Sequence, residues 1–246
     1  LAAVAPWTAR NCERMDGCAL VSTNGGWNLA IGAFPRATGR FETLRASDGC
    51  RVVTGQVQQD RCWLAYGVDQ IEKHPWHWLS LVPAKLAYTF DHESFEVEYL
   101  HEARPAAWPE ARRAAWRDAL STVQRVLVVA GAFAGIAFAR RRRKNESLTQ
   151  GVALLLVLAL AGLAVSSDAP HFWPLAVVAA ILPWLPLPGR PALPDALALG
   201  LALVATTIVT HAIFFGEDRY HVVLTPVFCI LAAAAFRRPA GAAREN

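Results

Sequence analysis

RRRRKNESLTQGVALLLVLALAGLAVSS, residues 140–167, decides the class of this protein. A bilayer core of about 30 Å needs about 20 mostly apolar residues as helix. Residues 148–167 meet that requirement without a single charge. The cations Arg140, Arg141, Arg142, Arg143 and Lys144 stand directly before them. Working outward, four more apolar runs follow, at 120–139, 170–187, 194–215 and 221–236, the last of them short. The first contains Arg125 near one end, where a long stem reaches the headgroups. The third carries Pro174, Pro183 and Pro186, so kinks are expected there.

Basic loops set orientation. The run at 140–144 is cytoplasmic, and alternation fixes the rest. The turn at 166–170 is external, the loop PLPGRPALP (186–194) is internal and GEDRYH (216–221) is external. The tail with Arg237, Arg238 and Arg244 is cytoplasmic. Residues 7–117 are then external, on the periplasmic side of a plasma (inner) membrane that the chain crosses several times. The sequon Asn145-Glu146-Ser147 falls inside and carries no glycosylation meaning. The net charge of +4 does not point to nucleic acid. Segment 7–117 is electrically balanced, so the excess sits in the apolar half, where it reports topology. The opening LAAVAP reads as the last turn of an apolar helix, and the chain is expected to be the C-terminal part of a longer protein. Three regions result: 1–6 as that helix end, 7–117 as the external segment with interfacial helices, and 118–246 as the transmembrane module. The fold class is mostly α, with about five C-terminal membrane helices and an external α+β segment.

The external segment holds Cys12, Cys18, Cys50 and Cys62, four of the chain's 5 cysteines. An even number in an oxidising compartment predicts two disulfides. Proximity favours Cys12 with Cys18 and Cys50 with Cys62, although three pairings exist. The spacings match no common zinc pattern. No cofactor is read from the chain; a divalent metal stays open, with no ligand set to hold it.

Asn24-Gly25-Gly26 predicts a tight turn, because Asn-Gly and Gly-Gly favour positive φ. Local chemistry favours a plain hairpin turn over a loop whose amides meet an anionic or sugar ligand. CRVVTGQVQQDRC (50–62) reads as a small hairpin closed by its cysteines. The stretch from His74 to Leu100 is too broken by proline and charge to span. It reads as an interfacial helix with Trp76 and Trp78 at headgroup level. Lys85 within it is either a snorkelling anchor, the preferred reading, or a phosphate contact. PEARRAAWRDAL (109–120) reads as a surface helix leading into the first span, with Trp108 and Trp116 as anchors. His74, His77 and His92 read as structural or solvated. No phosphate loop, dinucleotide fingerprint, nucleophile elbow or His-Glu-x-x-His is present.

Pro6-Trp7-Thr8-Ala9-Arg10-Asn11, then Ser22-Thr23-Asn24-Gly25-Gly26-Trp27-Asn28 and Gly32, resembles a stretch of bacterial GT-C glycosyltransferases. These are the glycosyltransferase family 39, or protein-mannosyltransferase-like, membrane enzymes. Lys85-Leu86 and Arg219-Tyr220 with Pro226 match further on. The resemblance implies transfer of a sugar from a polyprenyl-phosphate carrier to an acceptor on the outer side of the membrane. It implies substrate binding by Arg10, Asn11, Asn24, Gly25, Gly26, Asn28, Lys85, Arg219 and Tyr220. The family's catalytic carboxylate lies in a first external loop that these 246 residues lack, so no catalytic residue is assigned here. His221 departs from the residue that often follows Arg-Tyr in the family. The 24–28 turn and Arg219-Tyr220 are expected together on the external face. Implied partners are membrane lipids, the lipid-linked sugar and an unidentified acceptor. The alternative is a non-enzymatic membrane protein whose external domain binds a partner.

Overall fold

The computed structural model describes residues 2–51, 54–139, 147–166, 171–184 and 195–235. Within them the chain is mostly helical and forms no strand. One isolated parallel bridge joins Arg40 to Gly216. The loops at 140–146, 167–170 and 185–194 and the basic tail, which carry the orientation argument, lie outside the described residues.

By packing, the chain divides into two compact units. The first comprises Leu1–Lys85 and Thr210–Glu217, the second Leu86–Val209 and Asp218–Asn246. This division is by contact, whereas the expected one at residue 117 is by membrane side.

In the first unit, α1 (Ala5–Arg14) and α2 (Gly25–Ala33) precede α3 (Gln56–Lys73), α4 (Pro75–Ser80) and the start of α5 (Val82–Phe90), whose residues from Leu86 belong to the second unit. The core is the α2–α3 contact. Gly67 of α3 sits against Leu29 and Ala30 of α2, and the buried Trp63 meets Trp27 edge-on at 5.5 Å. Gly32 lies closer still to the backbone of Phe214. Among the described residues the expected external α+β segment forms helices and no strand. Asn24-Gly25-Gly26 is no hairpin turn. Asn24 has φ −116° and ψ 0° and precedes a helix, and Gly39 is the positive-φ glycine of the described chain. The 50–62 stretch is no hairpin either, because Gln56 already starts α3 and Cys62 lies within it. Cys12 is bonded to Cys18 and Cys50 to Cys62, the pairing that proximity favours.

The second unit continues with α6 (Phe95–Ala103), α7 (Glu110–Ala139), α8 (Ser147–Ser166) and α9 (Trp173–Ile181). It also holds most of α10 (Asp195–Ile213) and all of α11 (Thr225–Ala235). The expected surface helix and first span form one continuous helix, α7. It is packed by α11, where Gly131 admits Phe228. Arg125 does not reach outward from α7. Its Nε donates to the Asp91 carbonyl at 2.9 Å and its guanidinium covers the Phe172 ring.

Among the described residues one helix, α10, is long and apolar enough to cross a membrane by length and composition. Only 17% of its apolar window is buried inside the protein. That is unlike the core helix of a soluble domain, which hides its apolar side chains. The apolar helices Leu154–Ser166 and Trp173–Trp184 are shorter.

The α2–α3 contact yields a test. A Cβ at Gly26 would stand 1.9 Å from the Asp60 carbonyl oxygen, which is backbone, while Gly25 has nothing within 4 Å. Gly26→Ala is expected to destabilise by about 1–3 kcal/mol, the usual range for overpacking. Gly25→Ala is expected to be neutral or slightly stabilising. Thermal unfolding of both variants in detergent, followed by circular dichroism, checks the contrast.

Candidate functional site

The motif residues of the first unit are mostly occupied with the protein itself. On α1, Trp7 Nε1 donates to the Val21 carbonyl at 2.8 Å and Thr8 Oγ1 donates to the Leu20 carbonyl. Asn11 is buried, and its Nδ2 donates to the carbonyls of Ala19 at 3.1 Å and Val21 at 3.4 Å. Asn11 therefore shapes the 15–21 loop. Arg10 is exposed, with its guanidinium 4.9 Å from the Trp7 ring centroid and its Nη1 donating to Asn11 Oδ1.

The glycine-rich loop is the start of α2. A helix N-terminus leaves its first amides without intrahelical partners. Here Asp60 of α3 takes two of them: its Oδ1 accepts from Gly26 N at 2.8 Å and Trp27 N at 3.1 Å. Gly26 is small so that α3 can approach this closely. Asn24 and Gly25 remain exposed at the tip and Asn28 is half-buried.

Lys85, expected as a snorkelling anchor in preference to a phosphate contact, does not snorkel. It is fully buried. Its Nζ donates to the carbonyls of Ala212 at 3.4 Å and Ile213 at 3.2 Å, the last residues of α10, and lies 5.2 Å from the Trp78 ring centroid. A cation there complements the helix C-terminus. Burial lowers its pKa to about 8. Trp78 is similarly engaged, since its Nε1 donates to the Ile213 carbonyl at 3.0 Å. Of the two tryptophans expected at headgroup level, Trp76 is the strongly exposed one.

The second unit gathers the polar strings DHESFE (91–96) and DRYH (218–221). Asp218 Oδ2 accepts from the amide and hydroxyl of Ser94 and from Phe95 N, capping α6. Next to it, the Arg219 guanidinium lies 4.8 Å from the Phe95 ring centroid and 4.9 Å from that of Tyr220. Arg219 Nη2 also donates to the Tyr220 hydroxyl at 3.0 Å. His221 is fully buried. Its Nδ1 faces the Thr89 carbonyl, which only accepts, so that nitrogen carries the hydrogen. Its Nε2 faces Glu93 Oε2 at 3.3 Å. Burial, and then the neighbouring Glu93 and Asp218, raise the pKa of Glu96. Burial lowers that of His92.

Arg219 and Tyr220 thus adjoin one another in the second unit, while the 24–28 stretch belongs to the first. Sequence reasoning missed Asp91, Glu93, Glu96 and Asp218, and left His92 and His221 without a role. The available signal was two dense polar strings flanking apolar helices. Among the described residues no group of three or more His, Cys, Asp or Glu could hold a metal. Chemically, the second cluster offers a permanent cation between aromatic faces beside a carboxylate–imidazole pair. Compared with family models, with curated proteins and with solved structures, the chain matches none.

Lys85 gives a pH test. The unfolded chain keeps this proton up to about 10.5, the folded protein only to about 8. Between those values the unfolded state binds more protons, so stability rises with pH. Wild type is expected to gain of order 1–3 kcal/mol relative to Lys85→Met between about pH 7 and pH 10. Melting temperatures of both proteins across that range measure it. A constant difference would remove the assignment.

Proposed function

We propose that this chain is part of an integral-membrane glycosyltransferase that moves a sugar from a polyprenyl-phosphate carrier to an acceptor on the external face. The supporting observation is the Arg219 clamp. It follows the membrane-span candidate α10 by a few residues, where a lipid-linked phosphate would meet the protein. Guanidinium keeps its charge at any working pH and its fork suits phosphate oxygens. The aromatic faces of Phe95 and Tyr220 fix its plane. The ordered motif resemblance at residues 6–32 points the same way, and two disulfides fit an oxidising external compartment.

One observation favours the alternative, an external partner-binding domain without catalysis. The Gly26 and Trp27 amides already serve Asp60, which gives this part of the glycine-rich loop an internal role. Sugar transfer separates the readings. In membranes containing the full-length protein, Arg219→Ala is expected to lose about ten- to hundred-fold in donor use, from a charge-assisted contact of about 1.5–3 kcal/mol. Arg237→Ala, in the cytoplasmic tail of this reading, is the control. Equal activity of the two variants at equal abundance would reject the clamp.

In this reading the chain crosses the inner membrane several times. α8 supports it, with 20 residues and no charge. Residues 7–117 are external and 140–144 internal. In a Cys229→Ser background with both disulfides kept, an impermeant thiol reagent on intact cells is expected to label Ser47→Cys and not Ser147→Cys. The reverse pattern would invert the orientation.

A further inference from the structure

The first unit carries an apolar patch that its own chain leaves uncovered. Trp7, Leu20 and Val21 are 53%, 60% and 52% exposed. They are neighbours, because Trp7 Nε1 donates to the Val21 carbonyl and Thr8 Oγ1 to the Leu20 carbonyl. The Cys12–Cys18 disulfide closes the loop that brings Leu20 and Val21 back along α1.

We propose that this disulfide-closed patch of Trp7, Leu20 and Val21 seats in the headgroup–acyl boundary of the outer phospholipid leaflet. The proposal rests on the membrane placement above and adds a lipid-contact surface to it. The carbonyls of Ala19, Leu20 and Val21 all accept from side chains of α1. A loop facing lipid must satisfy such groups internally, because no water is there to do so, and this loop meets that requirement. Carbonyls so occupied are also withdrawn from strand pairing with a protein partner. Arg10 and Arg14 are exposed along the same helix, Arg10 over the Trp7 ring, with one exposed carboxylate, Glu13, between them. Tryptophan, aliphatics and arginine together suit lipid phosphates above and acyl chains below. The last turn of α10 belongs to this same unit, which brings the unit to a bilayer surface if α10 crosses.

The test places a benzophenone amino acid at Leu20, and separately at Val21. The full-length protein is reconstituted in phosphatidylethanolamine–phosphatidylglycerol vesicles, illuminated and read by intact mass. Ser47, exposed on a polar loop, and Val209, exposed on α10, are the references. Lipid adducts at Leu20 or Val21 at least about fivefold above Ser47, corresponding to about 1 kcal/mol of preference, support the proposal. Paired Cys12→Ser and Cys18→Ser changes are expected to reduce the adduct severalfold. Adducts at Val209 but only background at Leu20 and Val21, or adducts there with protein alone, overturn it while the membrane placement stands. Background at Val209 as well removes that placement and the proposal with it.

Discussion

Four helices of this protein begin on a carboxylate borrowed from elsewhere in the chain. Asp16 accepts from Val57 N and Gln58 N at the start of α3. Asp60, on α3, accepts from Gly26 N and Trp27 N at the start of α2. Asp91 Oδ1 accepts from Phe172 N at 2.8 Å and Trp173 N at 2.7 Å at the start of α9, while its Oδ2 bonds His171. Asp218 does the same for α6. None of these helices has a side-chain cap from its own N-cap residue. The anion meets both needs of a helix start, the orphan amides and the positive end of the dipole. It also ties each helix to a remote segment, so the caps act as tertiary cross-links. The environments differ. The amides of Gln58 and Val57 lower the Asp16 pKa, whereas burial is the largest influence on Asp91 and raises it.

The Asp218 cap links architecture to the candidate site. Because its carboxylate is bound to Ser94 and Phe95, Arg219 is carried to the first residue of α6, and the Phe95 ring lies under the guanidinium. Phe95 thus serves as both helix start and arginine platform. The Glu93–His221 pair flanks the same junction, with Glu93 held through its backbone by Ser121 of α7. Moving any one of these groups would disturb the others.

What could be read in the chain beforehand follows the range of the interaction. Apolar runs and the short disulfide loops are local matters, and the residues announce them, whereas the stretch from His74 to Leu100, read as one interfacial helix, divides among α4, α5 and α6. Asn24-Gly25-Gly26 is ambiguous locally, since the same residues favour a tight turn and a helix start. The arbiter, Asp60, lies 34 residues away from Gly26. Lys85 was illegible for the same reason. A lysine in an aromatic, amphipathic stretch looks like an interfacial anchor until the end of α10, 127 residues on, supplies its carbonyls. The 50–62 hairpin failed because closely spaced cysteines fit a helix and its approach loop as well as two strands.

The Pro-Trp-Thr-Ala-Arg-Asn string acquires a physical meaning from these same rules. Trp7, Thr8 and Asn11 are bonded to the loop that follows α1, and Arg10 stays at the surface. In water, three side chains committed to the carbonyls of one short loop would gain little, because solvent bonds such carbonyls almost as well. At a boundary poor in water the same bonds replace a partner that is missing, and losing one costs the full desolvation of a carbonyl. Lys85 and Trp78 treat the last carbonyls of α10 in the same way. The aspartate caps do so for amides. Trp7, Thr8 and Asn11, Lys85 with Trp78, and the capping aspartates thus share one task, which is to bond backbone groups of a loop or a helix end that have no partner within their own element.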